Sequence, residues 1–167
     1  MRPPFRCSEW HIIVVVVVAS LVLAALLSVL AAAAPPSNAD TERAVVDAVN
    51  QARRQRGLEA LSPDRELGDI ARRYSCEMAK GKFFDHTAPN GETMRDRLKR
   101  GGKDYTSAGE NIAYSEGRDP AKKAVAGWMK SPPHRENILS RDFTTTGVGV
   151  CRTGRATYVT QLFLRPR

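Results

Sequence analysis

Histidine is scarce in this 167-residue chain: there are three, His11, His86 and His134. Cysteine is equally scarce, with Cys7, Cys76 and Cys151. Three cysteines exclude a disulfide-dense scaffold, and the absence of paired Cys or His spacing excludes a structural zinc module of the usual kind. No His-Glu-x-x-His stretch exists to build a helical zinc-protease site. No Gly-x-Ser-x-Gly stretch exists to form a nucleophile elbow. Aromatic residues make up 7% of the chain and do not interleave with its basic residues, which argues against nucleic acid as a partner. No Leu-x-x-Cys closes the N-terminal apolar run, so the pattern of a lipoprotein is missing too.

What is present begins with that run. Arg2 and Arg6 precede 23 uncharged residues, Ile12 to Ala34, which end in Ala31-Ala32-Ala33-Ala34-Pro35-Pro36. Residues 1–34 read either as a cleaved signal peptide or as an N-terminal membrane anchor, since the run is long enough to span a bilayer. Positive charge before the run and Asp40 and Glu42 after it fit an N-in orientation. Both readings place the remainder outside the cytoplasm: secreted, or on the extracellular face of the membrane. Residues 35–39 read as a linker, and residues 40–167 as one domain large enough for a hydrophobic core.

Residues 1–39 hold Arg2, Arg6 and Glu9, which leaves 24 basic and 17 acidic residues and a net charge of +7 beyond them. A positive exported domain favours anionic cell-wall polymers or lipid headgroups, although dispersed basic residues equally describe a solvated surface. Cys76 and Cys151 form an even pair in an oxidising compartment and suggest a disulfide.

Hydrophobic periodicity predicts a helix over Thr41–Arg56, with Glu42, Arg43, Asp47 and Arg53 turned to solvent. Ser62-Pro63-Asp64 reads as the start of a second helix, with serine as cap and proline in the first turn. Leu67, Ile70, Ala71, Tyr74 and Met78 trace its inner face, where Tyr74 reads as core packing. A short helix follows over Thr93–Arg100. Tyr105–Ser115 has modest strand character and is expected to be partly irregular or helical. Asp119-Pro120 opens the last long helix, Pro132-Pro133 end it, and His134–Leu139 reads as a turn-like segment. Thr145–Cys151 and Ala156–Leu164 form an antiparallel hairpin, with Tyr158, Thr160 and Leu162 on one side and Val159, Gln161 and Phe163 on the other. Helices first and a hairpin last point to an α+β domain.

His86 and His134 lie in dense polar settings, and Glu110 lies between them in Gly109-Glu110-Asn111-Ile112-Ala113. Converging imidazoles suit Zn²⁺ or Cu²⁺, with Glu110 as a third ligand or as the partner that fixes a ring tautomer. Ser131 is a weak candidate nucleophile. His86, Glu110 and His134 are the candidates for activating water. Asn111 and Asn137 carry a structural reading, as asparagines that hydrogen-bond backbone.

The chain resembles bacterial members of the CAP family: the cysteine-rich secretory, antigen 5 and pathogenesis-related 1 proteins. The resemblance rests on Phe84-Asp85-His86-Thr87 with Pro89 and Gly91, on Gly109-Glu110-Asn111-Ile112-Ala113, and on Trp128 through Leu139. It continues in Gly147-Val148-Gly149-Val150 and Tyr158 through Phe163, in family order over residues 43–164. It implies an α-β-α sandwich, with a central antiparallel sheet between helical layers. It also implies a cleft formed by His86, Glu110, Asn111, His134 and Asn137, with His86 and His134 as ligands for zinc. Ser131 stands where many relatives place a second glutamate. The resemblance implies binding of a lipid, a cell-wall component or a surface protein, with a metal- or His/Glu-assisted hydrolase as the second class. A purely structural His/Glu cluster is the third.

Overall fold

The structure is a computed structural model that describes residues 36–167. The signal-or-anchor run and Cys7 lie outside the described residues. Among the described residues, no helix is long and apolar enough to cross a membrane.

Among the described residues, five helices and four strands follow one another as α1 (Asn38–Arg54), β1 (Ser62–Pro63), α2 (Arg65–Gly81), α3 (Met94–Arg100), β2 (Tyr105–Glu116), α4 (Pro120–Lys130), α5 (Pro132–Leu139), β3 (Thr145–Thr153) and β4 (Ala156–Pro166). The strands form one sheet in the order β1-β3-β4-β2. The β2, β4 and β3 pairings are antiparallel, and β1 adds two residues in parallel to β3.

Helices cover both faces. On one face Val45 and Val49 of α1, Val125 and Trp128 of α4 and Ile138 of α5 pack on Val148, Val150, Val159 and Phe163. On the other, Leu67, Ile70 and Ala71 of α2 and Leu98 of α3 pack on Leu162 and Leu164, and Tyr74 and Met78 pack on Ile112 and Tyr158. The alternation read along β4 is therefore the one that separates the layers. The fold is an α-β-α sandwich.

The sheet accepts α2 closely because β3 carries Gly147 and Gly149 on that face. A Cβ at Gly149 would collide with the backbone of Ala71 and Arg72, and one at Gly147 with Leu67 and Gly68. Only glycine admits helix backbone at this range. Cys76 of α2 and Cys151 of β3 close the same contact with a disulfide, their Cα atoms 5.0 Å apart and 75 residues apart in sequence.

Several local expectations are corrected. α1 starts at Asn38, inside the segment read as linker, because Ser37 and Asp40 form a capping box. Glu42 and Arg53 are buried rather than solvated. Glu42 Oε1 accepts from the Val150 N–H at 2.9 Å and from Arg72 Nε at 2.8 Å. Ser62-Pro63 is strand, and Asp64 is the cap of α2, its carboxylate accepting from Leu67 N–H at 2.9 Å. β2 is a continuous strand with one register shift between Tyr105 and Ser107, since pairing with β4 along its length overrides the low strand preference of Gly109, Glu110 and Asn111. His134 sits in a helix, not a turn. Pro132 and Pro133 end α4, then occupy the first turn of α5, where a missing N–H costs nothing.

Candidate functional site

Glu110 and Asn111 are adjacent on β2, so their side chains leave opposite faces of the sheet. Glu110 meets the α2/α3 layer. Its Oε1 lies 2.8 Å from His86 Nδ1, and its Oε2 accepts from Arg97 Nη2 at 2.8 Å. Asn111 meets α5. Its Nδ2 donates to the His134 carbonyl at 3.0 Å, and its Oδ1 accepts from Asn137 Nδ2 at 2.9 Å. Asn137 also donates to the Glu110 carbonyl at 3.2 Å. His86 and His134 thus come from opposite layers and meet around the edge of β2, with ring centroids 6.3 Å apart.

Each ring is held from behind. Glu110 and Arg97 are almost fully buried, with side chains 3% and 2% exposed, whereas the His86 side chain is 51% exposed. Arg97 also donates to the His86 carbonyl at 3.1 Å and to the Glu92 carbonyl at 3.2 Å. Its guanidinium carbon lies 3.3 Å from the centre of the Tyr74 ring, a cation–π contact in a dry setting. α5 is fixed at its C-terminal end by Arg53 Nη1, which donates to the carbonyls of Ile138 at 2.8 Å and Ser140 at 2.7 Å. Those carbonyls are helix-end acceptors that need outside donors. His134 Nδ1 lies 2.9 Å from Ser131 Oγ.

All six sequence candidates, His86, Glu110, Asn111, Ser131, His134 and Asn137, lie in this one assembly. Arg97 was missed. A buried arginine has no signature of its own, and only its place beside Leu98 on a short amphipathic helix hinted at it. Tyr74 packs in the core as expected and also carries Arg97.

The surroundings shift the two imidazole pKa values in opposite directions. The hydrogen bond to Glu110 raises the His86 pKa above the ordinary 6.5, against the opposing effect of burial. Burial lowers that of His134, with the nearby His86 charge adding to it. Both Glu110 oxygens are engaged, one by His86 and one by Arg97, an arrangement suited to orienting the His86 ring. Among the described residues, no group of three or more His, Cys, Asp or Glu side chains is arranged to hold a metal ion. The donor set that remains is two imidazoles. His86 and His134 are the residues that would hold such an ion.

A groove of about 610 Å³ opens beside His134 and Ser131. Phe83 and Phe84 form one wall, Ala124, Gly127 and Trp128 of α4 the other, with Tyr114 and Tyr158 between them and Lys82 and Lys123 at the rim. Among the described residues, Phe84 and Tyr114 are the large hydrophobic side chains left exposed, at 49% and 46%.

The model of the CAP family, described as the cysteine-rich secretory protein family, matches residues 46–163, and the chain belongs to that family. It is 37% identical over 125 residues to the Bacillus subtilis membrane protein YlbC, covering 75% of this chain and 34% of that one. It is 39% identical over 113 residues to Bacillus subtilis YkwD, covering 68% of this chain and 43% of that one. An extracellular SCP-domain protein from Bacillus anthracis superposes with a TM-score of 0.68 at 31% identity, over 80% of this chain and 45% of that one. The chain therefore spans less than half the length of each of these relatives.

Glu110→Gln weakens the contact that raises His86. An imidazole NMR titration will show the His86 pKa falling toward 6.5. His86's stabilisation, present below about 6.5 and lost as pH rises through its raised folded value, will shrink. Since Arg97 loses its buried counter-charge, the variant will also lose about 3 kcal/mol in a denaturant melt. An unmoved His86 would mean that the carboxylate does not act on the ring.

Proposed function

We propose that this chain acts outside the cell as a binding domain, and that the groove beside His134 is its ligand site. The extracellular Bacillus anthracis relative and the export signal read from residues 1–34 support that location.

One observation carries the reading. Gly127 lies in the middle of α4, where glycine costs about 1 kcal/mol relative to alanine. Nothing lies within 4 Å of the Cβ it lacks. Packing does not demand glycine there. A side chain would project into the groove, so the helix bears a cost that keeps the groove open. The largely apolar walls suit a ligand with an exposed apolar part, and Lys82 and Lys123 suit one that also carries negative charge. Among the candidate ligand classes, a lipid, a cell-wall component or a surface protein, a purely polar polymer fits these walls least.

His86 and His134 would hold a divalent cation such as Zn²⁺ beside the groove, which His134 lines and His86 does not, with water completing its shell. Such an ion supplies a charge to which an anionic ligand group attaches. Glu110 keeps the His86 tautomer with Nδ1 protonated, which leaves Nε2 as the donor to metal.

The contact between Ser131 Oγ and His134 Nδ1 favours a second reading, a hydrolase. A serine–histidine pair needs its base oriented by a third group. The carboxylate at hand, Glu110, is committed to His86 and Arg97. The contact is also local, three residues apart at the start of α5. Binding is therefore preferred, and covalent labelling of Ser131 by a fluorophosphonate would reverse that order.

Gly127→Phe will fill the groove and lower binding of the apolar fluorophore 8-anilinonaphthalene sulfonate at least tenfold, while Gly127→Ala keeps binding and raises stability by about 0.5–1 kcal/mol. Equal binding by Gly127→Phe would remove the groove as the site. In calorimetry, His86→Ala or His134→Ala will each weaken Zn²⁺ binding, and unchanged binding in the double variant would end the metal assignment.

A further inference from the structure

β2 is an edge strand, and the groove lies along part of that edge. Three side chains report which way the backbone of β2 faces. Asn137 Nδ2 donates to the carbonyl of Glu110, Trp128 Nε1 to that of Ile112 at 2.8 Å, and Lys123 Nζ to that of Glu116 at 2.6 Å. The intervening parity points toward β4, and Gly117 N–H continues it by bonding the Arg155 carbonyl. Glu110, Ile112, Tyr114 and Glu116 therefore turn both N–H and C=O away from the sheet. Of their four carbonyls, only that of Tyr114 has no donor among the described residues. Its neighbours on the edge are closed by side chains, as exposed strand edges usually are.

The gap coincides with the groove. Tyr114 lines it together with Ile112, Gly127, Trp128 and His134. From Lys123 to Ser131 the α4 wall is roughly 12 Å long, the length of about three or four extended residues.

We propose that the groove takes an extended polypeptide segment, which adds to the sheet edge by pairing its backbone with Tyr114. This rests on the groove reading above and names its ligand class. Tyr114 N–H donates to a carbonyl of the segment, and the Tyr114 C=O accepts one of its amides. One apolar side chain of the segment lies over Gly127, and an acidic residue beside it faces Lys82 and Lys123. Because Trp128 and Lys123 block the flanking carbonyls, the pairing is a single short step. The apolar side chain and the charge then supply most of the affinity, and the backbone pair supplies direction and register. A fatty acyl chain could occupy the same walls but brings no donor for the Tyr114 carbonyl, which is why polypeptide is preferred.

The test uses the full chain and a randomised peptide display library, followed by synthetic copies of the enriched peptides. The expected peptides place an aromatic or aliphatic residue next to Asp or Glu, and Gly127→Phe abolishes their binding. N-methylation of one peptide amide, the one paired with Tyr114, weakens binding about tenfold, as expected for a hydrogen bond left unmade. Methylation of the adjacent amide does not. Bound peptide also slows hydrogen exchange of the Tyr114 amide. Binding indifferent to every N-methyl position, or an unprotected Tyr114 amide, overturns the proposal. If palmitate vesicles bind in a Gly127-dependent manner and no peptide does, the groove stands as a ligand site and strand addition fails. If no probe responds to Gly127→Phe, both readings fall.

Discussion

The pleat of β2 at Glu110 and Asn111 is the constraint on which the site depends. Two adjacent residues of one strand reach into two helical layers. Glu110 holds His86 through Nδ1, and Asn111 holds the backbone of His134. A one-residue slip of β2 against β4 would exchange the two faces and place an amide against Arg97 and a carboxylate against α5. The site is thus secured by sheet register, which the eleven paired positions from Tyr105 to Glu116 fix against β4. Register is secured in turn by burial on both faces, with Ile112 in the core on one side and Asn111 fully enclosed on the other.

What the sequence displayed was the local chemistry. His86, Glu110 and His134 stood in polar stretches, and Cys76 and Cys151 stood as an even pair beyond the apolar run. These were readable because each lies in a short motif. Convergence was not readable from spacing, since the 47 intervening residues cross the sheet and return through α4 and α5. Ser62-Pro63 looked like a helix start because serine, proline and aspartate suit one. The true cap is Asp64, and strand pairing with β3 claims the two residues before it. The prolines at 132 and 133 were read only as a stop. The missing N–H and the ring's clash with the preceding backbone end one helix, while the fixed φ suits the first turn of the next, and that restart gives His134 a rigid platform. Arg97 escaped notice because a buried arginine differs from a surface one only by its partners, here Glu110, two carbonyls and the Tyr74 ring.

The two sheet edges are managed differently. At β3, beyond the two residues of β1, the buried Glu42 takes the Val150 N–H and binds Arg72. That edge is sealed by a charge. At β2 the seal is made of an amide, an indole and an ammonium group, and it is interrupted at Tyr114. The interruption sits opposite a helical glycine that packing does not require. Two independent features, one of backbone and one of side-chain volume, leave the same place open.

The disulfide joins α2 to β3, and so fastens one helical layer to the sheet. The other layer, with α4 and α5, is attached by packing and by the hydrogen bonds of Asn111, Asn137 and Trp128. The histidine pair spans both layers. Anything that grips both imidazoles becomes a reversible staple across the sandwich, mechanically complementary to the covalent one. The domain's resistance to pulling or heating would then depend on what is in its mouth.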